Sequence, residues 1–233
     1  MIKIDNCNFF LLVDSKNVKF EAIDENDEIY FSKKNLLNDS LNIKNFNVVD
    51  QFLKMHFFDI EKKIDNYIKE INLVISSDDF IFVNASMKCT FDENEFNEKR
   101  LNILMSELKS QFKNTIGRYE IIHMVISRFL VNGNIYHNFN DIKNFDKIFL
   151  DIKFICFNKD SIKTLRNILS KYEIVIKNII SLEYLKDFDE FNDNTNLLIA
   201  RRALNGLNKN EIFFSNKGSK NMSFFEKFFS FFS

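Results

Sequence analysis

The stretch of this chain with the best claim to chemistry is Asp14-Ser15-Lys16-Asn17, with Lys19 two residues further on. It joins two apolar, β-prone runs, Phe9 to Val13 and Val18 to Ile23. An Asp heading a strand-turn-strand can open a phosphate cradle built from successive backbone N–H groups. Such a cradle needs glycine where backbone must approach phosphate closely. Here the turn has none, and Lys16 and Val18 bring side chains into that space. The pattern therefore predicts a hairpin turn, a degenerate phosphate turn at Asp14, Ser15, Lys16, Asn17 and Lys19 that holds no cofactor. The chain has four glycines in all and neither of the common glycine-rich nucleotide motifs.

No other cluster reads as a catalytic or metal site. His123 sits inside Ile121-Ile122-His123-Met124-Val125-Ile126 and reads as a core histidine with a satisfied ring. Asp78-Asp79 and Asp92-Glu93 fall at a turn and a helix start, where carboxylates cap. Cys7, Cys89 and Cys156 are far apart, as are His56, His123 and His137, so no metal-ligand spacing exists and the thiols read as small buried hydrophobes. No nucleophile stands beside a base, and the expectation is a protein that is not an enzyme.

Elements to position these residues can be read from periodicity. Two strands form a hairpin, with Ile29 to Phe31 a possible third, and Asn35 to Asn47 is polar and irregular. Apolar steps of three and four from Asp50 to Ile71 predict a helix with Asp50 as its cap. Leu73 to Ile75 and Phe80 to Cys89 read as strands and Asp92 to Asn114 as a helix. Glu120 to Val131, ending in Asn132-Gly133-Asn134, and Lys147 to Phe157 are further strands. Lys159 to Lys171 is a helix, Val175 to Ile180 a strand, and Asn194 to Leu207 a helix closed by Gly206. Strands interleaved with helices make the class mixed α/β.

The last eleven residues carry Phe224, Phe225, Phe228, Phe229, Phe231 and Phe232. Wound at about 100° per residue these six rings share an arc of about 160°, with Glu226 and Lys227 opposite. So much aromatic surface must meet the chain's own body, a partner's groove or a membrane interface. An amphipathic helix too short to cross a bilayer is suited to lie in the interface, so these six Phe and Lys227 are the expected membrane-binding residues.

With 32 Lys and Arg against 33 Asp and Glu, bulk charge selects no partner, and aromatics are not interleaved with basic residues along the chain, which argues against nucleic acid. Phe is abundant at 29 residues while Pro and Trp are absent, a bias that AT-rich coding imposes. The clustering of Phe at the end is more telling than the count. The short apolar run before Asp14 makes neither a signal peptide nor a membrane span, so a cytosolic chain apart from its tail is expected.

In order along the chain, Met1-Ile2-Lys3, Leu12 to Phe20 with Asp14 and Lys19, Asn72-Leu73-Val74-Ile75-Ser76, Ile122 to Ile126, Phe129 to Gly133, Lys153-Phe154-Ile155-Cys156 and the amphipathic end resemble FtsA. That family comprises actin-like bacterial cell-division proteins that tether the division ring to the membrane. Lys16 and Asn17 stand where the family has glycine and threonine, and Ile126 stands in place of a proline. After about Phe188 no second phosphate loop, adenosine-binding motif or second lobe follows. The resemblance implies a partial actin-like (ribonuclease H-like) lobe from residues 1–71 and 181–208. It further implies an inserted strand-helix-strand-strand subdomain over 72–180, a linker at 209–221 and a membrane-targeting tail at 222–233. It also implies a non-catalytic division adaptor, peripheral on the inner face of the cell membrane, with bacterial division proteins as partners and self-association through the inserted subdomain. A type IV pilus assembly adaptor of the same superfamily, or a soluble module whose tail packs on its own core, are the alternatives.

Overall fold

The computed structural model describes residues 7–37, 46–90, 98–142, 147–188, 192 and 195–212. Asp92, Glu93, the expected linker from residue 213 and the residues Phe224 to Phe232 expected to bind membrane lie outside them. The chain divides into two units, one running up to Phe80 and resuming over Phe157–Leu204, the other comprising Ile81–Cys156 and the chain from Asn205.

The first unit is built on a five-stranded sheet in the order β3-β2-β1-β4-β9. β1 (Asn8–Val13) pairs antiparallel with β2 (Asn17–Ile23), and β2 antiparallel with β3 (Ile29–Leu36). β4 (Glu70–Ile75) runs parallel to β1, and β9 (Val175–Ser181) parallel to β4. One antiparallel strand in an otherwise parallel sheet of this order is the ribonuclease H-like arrangement, and the unit is a partial actin-like lobe within a mixed α+β protein.

From Phe10 to Val13 β1 is wholly buried, so both faces of the sheet must be covered. The helices α1 (Asn47–Ile64), α3 (Lys159–Ser170), α4 (Leu182–Leu185) and α5 (Asn196–Leu204) supply the layers. α3 shows how sequence makes one of them. The Asn158 side chain accepts the Asp160 N–H at 2.8 Å, and Ile162, Leu165, Ile168 and Leu169 form its single buried stripe.

The helix expected to reach Ile71 stops at Ile64. Asp65 turns left-handed with φ 52°, its N–H donating to the Glu61 carbonyl, and the Glu61 carboxylate takes the Ile68 N–H at 2.8 Å. Ile68 and Ile71 stay in helical phase only because both point into a core, and Ile71 does so from β4. Asp50 does not cap the helix; its carboxylate accepts Lys171 Nζ at 3.1 Å.

The second unit has a four-stranded sheet, β5-β8-β6-β7, in which β5 is Phe80–Thr90, β6 Tyr119–Val131, β7 Asn134–Tyr136 and β8 Lys147–Asn158. Helix α2 (Glu98–Thr115) lies against one face. Leu101 and Met105 join Met124, Ile126, Ile152 and Phe154 in a closed core, and Phe112 stacks on Phe154 with centroids 4.1 Å apart. Each aromatic or Leu-sized side chain so buried contributes about 1.5–3 kcal/mol. Cys89 and Cys156 belong to this core, and burial pushes the Cys156 thiol up to about 11.

The second unit thus runs strand-helix-strand-strand with an added hairpin strand β7, and it takes in Ile81–Cys156 where the resemblance implied 72–180. β4, α3 and β9 belong to the first unit because β4 and β9 pair with one another and β4 with β1. The expected linker also begins too early. Asn210 to Ile212 run antiparallel beside β6, the Ile126 N–H donating to the Asn210 carbonyl at 3.0 Å and the Ile212 N–H to the Met124 carbonyl at 2.8 Å. The side chain of Ile212 enters the core.

Candidate functional site

Val13 and Val18 close the first hairpin, and the four residues between them form a tight local network. The N–H groups of Lys16 and Asn17 both donate to Asp14 Oδ1, at 2.7 and 2.8 Å. The Asn17 side-chain amide donates to both Asp14 oxygens, at 3.2 and 3.1 Å, and the Asp14 N–H donates to the Asn17 carbonyl at 3.1 Å. The amides that a phosphate would need are already turned onto the chain's own carboxylate. An incoming phosphate would have to displace a negative group and would meet its repulsion. Asp14, Ser15, Lys16 and Asn17 are therefore brought together as a self-satisfied turn.

Lys19 is committed elsewhere. Its ammonium is buried and lies 2.7 Å from Glu21 Oε1, which also accepts the Ser32 hydroxyl at 3.1 Å. Two residues apart on one strand, Lys19 and Glu21 share a face, and their charges cancel inside the sheet.

Two of the remaining sequence candidates have partners within the chain. His123 is buried with its Nδ1 2.7 Å from Glu211 Oε1. The Asp79 carboxylate accepts the Ser161 hydroxyl at 2.6 Å. Among the described residues no group of three or more His, Cys, Asp or Glu could hold a metal ion, and no helix is long and apolar enough to cross a membrane. A cleft of about 410 Å³, lined by Cys7, Tyr67, Glu70, Asn72 and Lys177, lies where β1 and β4 begin, the end of the sheet away from Asp14. The Cys7 thiol there is raised by burial and then by Asp24, so it carries little thiolate.

One feature escaped the sequence reading. Along β5 the side chains of Phe82, Asn84, Ser86 and Lys88 are exposed on one face. Ser86 donates to Asp151 Oδ1 at 2.5 Å, Lys88 Nζ stands 5.8 Å from the Phe149 ring centre, and Lys153 Nζ 5.6 Å from that of Phe82. Arg128 on β6 donates to the other Asp151 oxygen. Aromatic and basic residues that do not alternate along the chain therefore alternate across strands. Alternating burial along β5 was the available signal, and the partner strand lies some 65 residues away.

Asp151 is held below the usual carboxylate range, first by the Ser86 hydroxyl and then by Arg128. Its folded value is thus lower than its unfolded one. The stability it adds is fully present above about pH 4 and is lost as pH falls through the depressed value. Asp151→Asn is expected to lose about 0.5–1 kcal/mol at pH 7, and urea midpoints of the two proteins should converge as pH falls below the usual carboxylate range.

No protein-family model and no curated protein sequence matches the chain. Solved structures similar to it include a PilM–PilN type IV pilus biogenesis complex, at 7% identity, covering 76% of this chain and 48% of that one, TM-score 0.45. A Bacteroides thetaiotaomicron protein with an actin-like ATPase fold matches at 12% identity over 80% of this chain and 57% of that one, TM-score 0.36. The cytoplasmic domain of EpsL, an inner-membrane component of the Vibrio cholerae type II secretion system, matches at 7% identity over 77% and 59%, TM-score 0.36. The chain spans about half the length of the structures it matches. It is the strand order of the larger sheet, not these likenesses, that assigns the lobe.

Proposed function

We propose that this chain is a non-catalytic adaptor held at the inner face of the cytoplasmic membrane by its phenylalanine-rich end, in a division-ring role like that of the family it resembles. The observation that carries the non-catalytic half is the occupied turn at Asp14, whose amides serve its own carboxylate. The membrane half rests on the one-sided arc of Phe224, Phe225, Phe228, Phe229, Phe231 and Phe232 with Lys227. A segment so short folds as it binds and holds weakly alone. Two or more tails on one assembly raise effective affinity by about a hundredfold.

Co-sedimentation with liposomes tests the anchor. The full chain should pellet and a chain ending at Lys220 should remain in the supernatant; equal pelleting rejects the tail. A titration with ATP and magnesium should give no binding, and micromolar affinity would reject the non-catalytic half. In cells, midcell localisation supports a division role, whereas polar localisation points to pilus assembly.

A further inference from the structure

β5, β8 and β6 present a face that α2 does not cover, and its chemistry is uneven. Among the described residues, Lys88, Arg128, Lys147 and Lys153 stand on it with the carboxylate of Asp151, and Glu211 on the same side is buried against His123, in a chain whose net charge is -1. Phe82 and Phe149 are 45% and 39% exposed and lie beneath Lys153 and Lys88. Counted along the strands the two rings are separated by about 20 Å. They do not line a common groove, as a peptide's anchoring side chains would require. Exposed apolar rings with long cations above them suit a membrane interface, where rings enter the headgroup–acyl boundary and ammonium groups reach lipid phosphate.

We propose that this open sheet face is a second membrane contact that takes anionic lipid headgroups. Charge complementarity supplies the attraction, and chain continuity supplies the placement. Ile212, fixed by its N–H to Met124 of β6, is the last described residue before the phenylalanine-rich end, so the chain leads to the tail from the unit that bears the face. The inference rests on the membrane reading and extends it, because a tail whose polar side has the single cation Lys227 has little selectivity for anionic lipid of its own.

The test uses the full chain, vesicles of pure phosphatidylcholine, and vesicles with about a third phosphatidylserine. The doubly substituted Lys88→Glu, Lys153→Glu protein should lose about thirtyfold or more in affinity for the anionic vesicles, about fivefold for the attraction of each of the two lysines. Its binding to the neutral vesicles should not change. Lys88→Gln, Lys153→Gln should give a smaller loss in the same direction, and raising salt from 50 to 500 mM should shrink the difference. Replacing Phe224 and Phe228 by Ser should weaken binding to both kinds of vesicle, which separates the tail from the face. Unchanged anionic binding by the Lys-to-Glu protein, with its melting temperature intact, overturns the face while leaving the tail standing. No binding by the unsubstituted chain to either vesicle overturns both. Binding of a single-stranded oligonucleotide or an acidic peptide that these substitutions abolish, with vesicle affinity unmoved, assigns the face to another occupant and also overturns the proposal.

Discussion

Asp27→Ala is expected to lower the stability of the first unit by about 3 kcal/mol, the low end of the cost of breaking a buried ion pair. Asp27 sits at the β2–β3 turn and receives two guanidinium groups from α5. Arg201 donates through one terminal nitrogen, and Arg202 through Nε at 2.8 Å. The Arg201 side chain is only 10% exposed, and its own Nε is buried with no hydrogen-bond partner. Removing the carboxylate strands a charge that water cannot easily reach. The estimate is kept low because Asp27 leaves 26% of its side chain in solvent. A second cause must be separated, since Asp27 holds φ at 66°, a left-handed conformation that alanine resists. Asp27→Gly relieves that strain without restoring the charge. If the ion pair dominates, the glycine and alanine proteins unfold at similar urea concentrations. If the turn dominates, glycine restores most of the loss. Denaturation of both within about 0.5 kcal/mol of the parent would show that α5 is held by apolar packing alone.

The elements that sequence revealed are those whose own residues determine them. The hairpin at Asp14 follows from two β-prone runs and a polar turn, and α3 from an Asn cap and one apolar stripe. Errors arose where the pattern depends on distant parts of the chain. Ile68 and Ile71 extended the apparent period of α1 because burial, not helix, demanded apolar residues there. β7 was missed although Asn132-Gly133, with φ of 50° and 82°, is the standard signal for a two-residue hairpin. Allocation of β4 and β9 to the inserted subdomain followed chain order, whereas parallel pairing with partners far along the sequence placed them in the first sheet. At the site, absent glycine was the legible reason to expect a plain hairpin turn at Asp14. That Asp14 itself occupies the amides required coordinates, as did the pairing of Lys19 with Glu21.

The second unit should respond most strongly to Glu211. Its carboxylate and the His123 ring are 3% and 6% exposed and lie 88 residues apart in sequence. Glu211→Ala withdraws the carboxylate from a buried imidazole and is expected to cost about 1–3 kcal/mol, as removing a buried hydrogen-bond partner does. The double substitution His123→Leu, Glu211→Leu exchanges both polar groups for apolar ones of similar size and should cost far less than the sum of the singles. That contrast identifies the pair, since a loss of backbone pairing alone would make the effects additive. The Asn210–Ile212 ladder depends on the same contact, so Glu211→Ala should also expose Lys209 to trypsin while the double protein resists. Releasing the ladder lengthens the tether between the sheet and residues 224–232. If the two proposed membrane contacts act together, a longer tether lowers the effective concentration of one relative to the other. Glu211→Ala should therefore bind anionic vesicles more weakly than the parent at temperatures where both are folded. Equal affinity, with the ladder shown to be open by proteolysis, would mean that tail and sheet face do not engage one surface together.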